Sequence, residues 1–354
     1  MKGIILHGGH GTRLRPLTHT GPKQLLPIAN KPMSQYALDD LKTAGITEIG
    51  IIVGDVYPEK VKEYYGNGSK FGVQITYIYQ DSPKGISHAI RLCKDFIDND
   101  KFIVYLGDNV LRKNLVEYTK KFETSDSDAM ILLCEVNEPQ RFGIAELDSD
   151  NPDKIKKIIE KPKNSVSTLA VLGIYFLTPK IFDIIDNLKP SWRGELEITD
   201  ALDMLLNDGN KIKYDIVTGW WKDTGTPEDI IHANKLVLDS LGTENQFLID
   251  DDSKIKDNIV VGKNTEISRD SIVIGPVIIG KNCKIGPSAR IGPYASIGNN
   301  CTLKNCNIED SIVMNDCKID SKINLSNSII AHGSEIEDNP KKQFLLGERS
   351  QLRI

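Results

Sequence analysis

Residues 7–33, HGGHGTRLRPLTHTGPKQLLPIANKPM, follow directly on the apolar run Gly3-Ile4-Ile5-Leu6, and this junction limits the fold more than any other stretch of the chain. The apolar run reads as a buried strand. Gly8, Gly9 and Gly11 permit a tight turn in which consecutive backbone N–H groups face an anion, because no Cβ stands in the way. Arg13 and Lys23 bring full positive charges to the same turn. A Walker A loop requires a lysine followed by Ser or Thr after its second glycine, and that tetrad does not occur here. A dinucleotide fingerprint requires a third glycine where Leu14 stands and an acidic residue where Ile28, Ala29 and Asn30 stand. The segment therefore reads as a phosphate loop of neither common kind.

Up to about residue 240, short apolar runs alternate with amphipathic stretches. Strands are predicted over Glu48–Val53, Val73–Tyr79, Phe102–Leu106 and Ala129–Val136, which is the pattern of an α/β domain with a mostly parallel sheet. Ligands of such open sheets bind beyond the carboxyl ends of strands, where the glycine turn after Leu6 and Gly107-Asp108 after Leu106 fall. A different period takes over after Leu241. Ile279, Ile285, Ile291, Ile297 and Leu303 recur every six residues, with the small residues Cys283, Ala289, Ala295 and Cys301 four positions further on in each unit. A six-residue period predicts a parallel β-helix whose coils stack aliphatic rungs. Ile272, Ile308, Ile312, Ile319 and Ile329 extend the rungs on either side more loosely. The expected organisation is a first domain over 1–240, a β-helix over 241–338 and a tail over 339–354 that caps or leaves the open end. Gly242 and the acidic run Asp250-Asp251-Asp252 suggest the linker.

Composition narrows the partners. With 354 residues and a formal net charge of -5, the chain has no broad basic face, so nucleic acid is not expected as a partner. Anionic substrates must then be caught by local cations. No apolar stretch approaches the roughly 18 residues of a membrane span, and the N-terminus runs straight into a strand without an export signal, so a cytoplasmic location is expected. Six cysteines without a C-x-x-C pair argue against a disulfide framework and a zinc site. Cys93 and Cys134 fall within apolar runs and read as small core residues. The four C-terminal cysteines, Cys283, Cys301, Cys306 and Cys317, read as packing residues of the repeat.

The phosphate loop resembles the signature of sugar-phosphate nucleotidylyltransferases, specifically the long form of the glucose-1-phosphate thymidylyltransferases. The resemblance covers essentially the whole chain. It continues in order through Gln80 with Pro83-Lys84-Gly85-Ile86, Gly107-Asp108-Asn109, Phe142-Gly143, Glu160-Lys161-Pro162, Arg193-Gly194-Glu195-Leu196-Glu197-Ile198-Thr199-Asp200 and Trp221-Lys222-Asp223-Thr224-Gly225. It implies a Rossmann-like nucleotidyltransferase domain followed by a left-handed β-helix, a homo-oligomer, and transfer of a deoxythymidylyl group from dTTP to glucose 1-phosphate with release of pyrophosphate. A phosphate monoester has its second pKa near 6, so the attacking oxygen is already ionised at neutral pH and needs no general base. The obstacle is the approach of one anion to the α-phosphorus of another, which calls for positioning and charge neutralisation.

By this resemblance Arg13 and Lys23 are the catalytic cations. Arg13 would fork onto the triphosphate and Lys23 would act as a point charge. Leu6, Gly8, Gly9, Gly11, Thr12, Gln24, Gln80, Pro83 and Gly85 would hold the nucleotide. A glutamine amide matches the edge that thymine and uracil share, so it separates pyrimidine from purine and leaves dTTP and UTP open. Gly143, Glu160, Lys161, Val171 and Gly173 would form the sugar-phosphate site, and Asp108 and Asp223 would bind Mg²⁺ together with substrate phosphates and water. The segment Arg193–Asp200 is expected to be mostly structural, its carboxylates capping the next helix. His7 departs from the family, which carries a small alanine there, and His10 fills a variable position. Both are expected in packing or solvent-exposed roles. Two rival readings are a uridylyltransferase acting on glucose or N-acetylglucosamine 1-phosphate and a non-catalytic sensor of nucleotide sugars. Acyl transfer by the β-helix is disfavoured, because His332 is the only histidine past residue 232 and no long insertion interrupts the coils.

Overall fold

The computed structural model describes residues 1–241, 255–256 and 258–338. The expected linker residues Gly242 and Asp250–Asp252 and the tail 339–354 lie outside them. The chain divides into two units, Met1–Val237 and Leu238–Ile354.

The first unit is built on a nine-stranded sheet. Strand β1 (Lys2–His7) lies at its centre, between β2 (Glu48–Val53) and a later strand that returns to it, and β3 (Gln74–Tyr79) extends the edge beyond β2. The returning strand is β4 (Phe102–Leu106), and all of these pairings are parallel. Consecutive side chains of β1 feed opposite faces, as the pleat requires. Ile4 and Leu6 join one hydrophobic core, and Ile5 joins the other. A short strand β5 (Asn109–Leu111) follows, then β6 (Ala129–Glu135), β7 (Gly143–Leu147) and β8 (Ile155–Glu160). Strand β9 (Leu169–Leu177) runs antiparallel against β4 and β6 and opens the far side of the sheet, where β7 and β8 form an antiparallel pair. Strand β10 (Ile212–Ile216) is parallel to β6. The parallel character thus belongs to the half of the sheet that carries the glycine turn.

Outside this sheet, β11 (Trp221–Asp223) pairs antiparallel with β5, and the register sets Asp223 opposite Asn109. This three-residue pairing joins two regions that are remote in the chain.

Among the described residues the second unit contains three parallel ladders of five short strands each, the wall of a left-handed β-helix. Ile279 stacks on Ile297, Ile285 on Leu303 and Val273 on Ile291, so successive six-residue units occupy successive faces. Early coils repeat every 18 residues. Later ones close in 16 or 17, which is why the rungs beyond Leu303 look irregular in sequence. Cys283, Cys301, Cys306 and Cys317 are all buried free thiols inside the coil, as their repeat positions predict, and Cys93 is buried in the first unit while Cys134 is half-buried.

Each coil must turn a corner, and the corner requires a left-handed backbone. Asn264, Asn282, Asn300 and Asp316 supply it with φ of 60°, 56°, 59° and 62°. Asparagine and aspartate tolerate this region better than other non-glycine residues. Their side chains also form a column, with Asn264 donating to Asn282 and Asn282 to Asn300 at 3.2 Å, and Asn300 to Asp316 at 2.9 Å.

Replacing Asn300 separates the two contributions. Asn300→Ala loses both the left-handed tolerance and the ladder bond, and unfolding by urea should show a loss of about 2 kcal/mol. Asn300→Gly keeps the tolerance and should lose about half as much. Equal losses in the two variants would show that the backbone conformation contributes nothing.

Candidate active site

Strands β1 and β4 end side by side, with Leu6 paired to Leu106. The Gly107 amide donates to the Leu6 carbonyl at 3.0 Å. A Cβ on Gly107 would come within 2.7 Å of that carbonyl oxygen, so only glycine allows the chain to cross here. Asp108 is thereby delivered beside the glycine turn. Its carboxylate accepts a short hydrogen bond from Lys23 Nζ, and the Asn109 amide donates to its other oxygen at 3.1 Å.

Asparagine 109 also ties down the opposite strand. Its Oδ1 accepts from Trp221 Nε1 at 2.7 Å and from the Gly173 amide at 3.3 Å. The Thr224 amide and hydroxyl both donate to the Asp108 carbonyl oxygen, at 3.0 and 2.6 Å. These bonds hold Asp223 beside Asp108. The Arg13 guanidinium lies across the next turn, where a Cβ on Gly225 would meet its Nη2 at 2.8 Å. Arg13, Lys23, Asp108 and Asp223 therefore converge.

The electrostatics record the crowding. Burial raises the pKa of Asp108, but Lys23 outweighs it and the carboxyl stays below its ordinary value. Burial lowers that of Lys23, and Asp108 and Asp223 outweigh it in turn. Asp223 has no such dedicated partner. Burial first, and Asp108 second, push it up to about 6.

Two cavities open on this cluster. One, of about 310 Å³, is lined by Leu6, Gly8, Gly9, Gln24, Gln80, Pro83 and Gly85, all expected on the nucleotide side, together with Lys23 and Asp108. The other, of about 230 Å³, is lined by Arg13, Asp108, Asp223, Gly143, Glu160, Lys161, Val171 and Gly173. Every expected sugar-side residue is present in the second. Gly11 and Thr12 line neither cavity and instead sit in the turn leading to Arg13, where the Thr18 hydroxyl donates to the Gly11 carbonyl at 2.9 Å. Lys161 holds a left-handed φ of 41°, the kind of strained backbone that concentrates at functional positions.

The segment after Trp192 corrects the expectation drawn for it. The helix Ile198–Asn207 has no side-chain cap. Glu197, at the capping position, instead accepts from Ser191 at 3.0 Å and Arg193 at 3.3 Å. Arg193 and Glu195 line both cavities. The Arg193 guanidinium also meets Glu160 at 3.3 Å and Glu195 at 3.2 Å, and Thr199 donates to Glu160 at 3.0 Å. The single clue in the sequence was an arginine among three carboxylates, which is also the pattern of a solvated surface.

Among the described residues no three His, Cys, Asp or Glu side chains converge as a metal cage. Two neighbouring carboxylates suit Mg²⁺ nonetheless, because that ion keeps waters and substrate phosphates in its shell. The raised Asp223 marks an excess of buried negative charge that a divalent cation would relieve. The donor set therefore fits the ion.

His7 is buried in the packing role expected of it, edge-on to the Tyr65 ring with centroids 5.9 Å apart. Neither ring nitrogen finds a partner. His10 is exposed and reaches Asp55 at 3.2 Å.

Comparison with known proteins identifies the family. The Nucleotidyl transferase family profile matches residues 2–240, and a profile described as GMPPB C-terminal domain matches residues 273–351. The chain is 44% identical to the low-salt glycan biosynthesis nucleotidyltransferase Agl11 of Haloferax volcanii, over 100% of both chains. It is 36% identical to a glucose-1-phosphate thymidylyltransferase of Streptomyces griseus, over 100% of this chain and 99% of the other. A crystal structure of UDP-glucose pyrophosphorylase with UDP-glucose superposes with a TM-score of 0.61 at 29% identity, covering 68% of this chain and 98% of that one.

Burial lowers the pKa of His7 to about 3, against Asp108, which raises it. The folded protein keeps the ring neutral while the unfolded chain protonates it below about pH 6.5, so this stability is present above that pH and is lost as pH falls toward 3. Between pH 7 and pH 5, the wild type should lose about 2 kcal/mol more than His7→Ala in parallel urea titrations. Identical losses would contradict a buried neutral ring.

Proposed function

The chain belongs to the nucleotidyl transferase family and is a sugar-phosphate nucleotidyltransferase, and from that premise we propose that it transfers a deoxythymidylyl group from dTTP to glucose 1-phosphate, giving dTDP-glucose and pyrophosphate. The observation that carries the reading is that Asp108 lines both cavities. A nucleotide in one and a sugar phosphate in the other bring the α-phosphorus and the attacking oxygen to the same carboxylate.

The residues divide the work by charge and reach. Gln80 meets the base. Glu160 accepts hydrogen bonds from sugar hydroxyls, with Thr199 and Arg193 fixing its orientation. Lys161 lies beside it at 3.1 Å and neutralises the sugar phosphate. Arg13 grips the triphosphate bidentately as the bond to the leaving pyrophosphate lengthens. Lys23 reaches the α-phosphate by exchanging its ion pair with Asp108 for one with substrate, and Asp108 and Asp223 are then free to hold Mg²⁺. The ion, when bound, withdraws charge from phosphate oxygens. No side chain is needed as a base, because the sugar phosphate arrives ionised.

UTP is the second nucleotide this site admits, since Gln80 reads only what thymine and uracil have in common. The similarity to the UDP-glucose pyrophosphorylase structure favours the same allowance.

A pyrophosphate-release assay that crosses dTTP and UTP with glucose 1-phosphate and N-acetylglucosamine 1-phosphate tests the assignment. The expected best pair is dTTP with glucose 1-phosphate. A strong preference for UTP with N-acetylglucosamine 1-phosphate would replace it with the uridylyltransferase reading. Arg13→Ala and Lys23→Ala should each lower kcat about 100- to 1000-fold. EDTA should abolish turnover and added Mg²⁺ restore it, and persistence of activity in the chelator would remove the metal from the scheme.

A further inference from the structure

Gln80 follows β3 and is buried, its backbone amide donating to the Val53 carbonyl at 2.9 Å. A glutamine amide has two nearly equivalent orientations, related by a half-turn that exchanges its donor and acceptor ends. For a residue that reads a base, this choice decides everything. In one orientation it presents an acceptor, and in the other a donor.

His88 makes the choice. It is buried on the helix Ile86–Arg91, and its Nδ1 lies 3.1 Å from Gln80 Nε2. In this orientation the amide nitrogen donates, and Nδ1 accepts when the ring proton sits on Nε2. The other side of the ring fixes the tautomer independently, because Nε2 faces the Asp81 carboxylate with Oδ1 at 3.9 Å and that negative charge favours the proton on Nε2. Burial lowers the pKa of His88, as Arg91 and Lys84 also do against Asp81, which keeps the ring neutral as the arrangement requires. The half-turned amide would set Gln80 Oε1 against the Nδ1 lone pair, two acceptors in contact. With Nε2 committed to His88, Oε1 lies alongside Gly8, 3.1 Å from where a Cβ on that glycine would stand, and it takes no hydrogen bond from the described residues. Gly8 and Gln80 line the same nucleotide cavity.

We infer that His88 is a positioning residue that locks the Gln80 amide with its oxygen toward the base, so that the cavity selects pyrimidines carrying a ring N–H. Thymine and uracil present that N–H at N3. Cytosine in the same pose presents an unprotonated ring nitrogen there, and two acceptors would meet. The second N–H of the Gln80 amide remains for the imide carbonyl beside N3. Selectivity against cytosine thus rests on a histidine that never touches the nucleotide. The inference rests on the reading of this cavity as the base site.

The test measures kcat/KM of the full chain for dTTP and dCTP with glucose 1-phosphate, in wild type, His88→Leu and His88→Gln. The leucine variant removes the acceptor and frees the amide, and the preference for dTTP over dCTP should fall by roughly ten- to a hundredfold, chiefly through KM. The glutamine variant offers a side-chain carbonyl to Gln80 Nε2 and should restore most of the preference. An unchanged ratio in His88→Leu, or an equal fall in both variants, would overturn the role. A wild type that does not distinguish dTTP from dCTP would overturn the base-site reading itself. Proton-coupled nitrogen NMR of the wild-type histidines checks the lock without any variant. The Nε2–H tautomer of His88 is expected, and the Nδ1–H tautomer would refute it.

Discussion

Lys23 and Asp108 are half-buried against each other where the parallel strands end, and taking charges out of water costs free energy unless their remaining hydrogen-bonding capacity is met. For Asp108 it is met from outside the pair. Asn109 donates to the second carboxylate oxygen, and Thr224 donates twice to the backbone of the same residue. The turn Trp221–Gly225 is thus required by the ion pair, and it also brings a second carboxylate that the single lysine does not satisfy. Asp223, pushed up to about 6 by burial and Asp108, marks an excess of buried negative charge. On the function proposed above, a site that would draw together two polyanions and a divalent ion is well served by such an imbalance.

Much of the fold was legible because it is periodic. The alternation of apolar runs with amphipathic stretches predicted β2, β3, β4 and β6 to within a residue at their ends. The six-residue period predicted the β-helix from only five aliphatic positions. What escaped was pairing between elements far apart in the chain. β9 is a continuous apolar run, LAVLGIYFL, and such a run reads the same whether it lies parallel or antiparallel. The pairing of β5 with β11 spans three residues on each side, too short to display any period, yet with the Thr224 bonds to Asp108 it brings Asp108 and Asp223 together. In the candidate site, the expected residues that line the cavities stand on the glycine turn or at strand ends, where local pattern marks a position. Arg193 and His88 are placed by side-chain contacts, which leave no local pattern in the sequence.

The shortened coils of the β-helix follow the same logic. A coil can lose a residue or two at a corner without disturbing the rungs, because the ladder bonds and the interior side chains belong to the straight segments. Ile297 stacks on Val313 and Leu303 on Ile319 although the spacing has contracted. A period read along the chain registers the deletion as noise, while the stacked structure absorbs it in a turn.

The loop that carries Arg193 shows why an apparently structural motif lies at the centre of the site. Its Leu196 amide donates to the Lys84 carbonyl at 2.8 Å, and its Leu196 carbonyl accepts from Ser87 at 3.0 Å. At Gly85 the two backbones approach so closely that a Cβ would stand 2.4 Å from the Leu196 carbonyl oxygen. The base-side loop and the Arg193 loop are therefore a single unit. Through Arg193 that unit reaches Glu160, so a continuous chain of hydrogen bonds and ion pairs links the linings of the two cavities. Three carboxylates share the one guanidinium, and the arginine cannot leave Glu160 without being retained by Glu195 and Glu197. The tether is what allows one side chain to serve as a wall of both cavities while keeping its position in each.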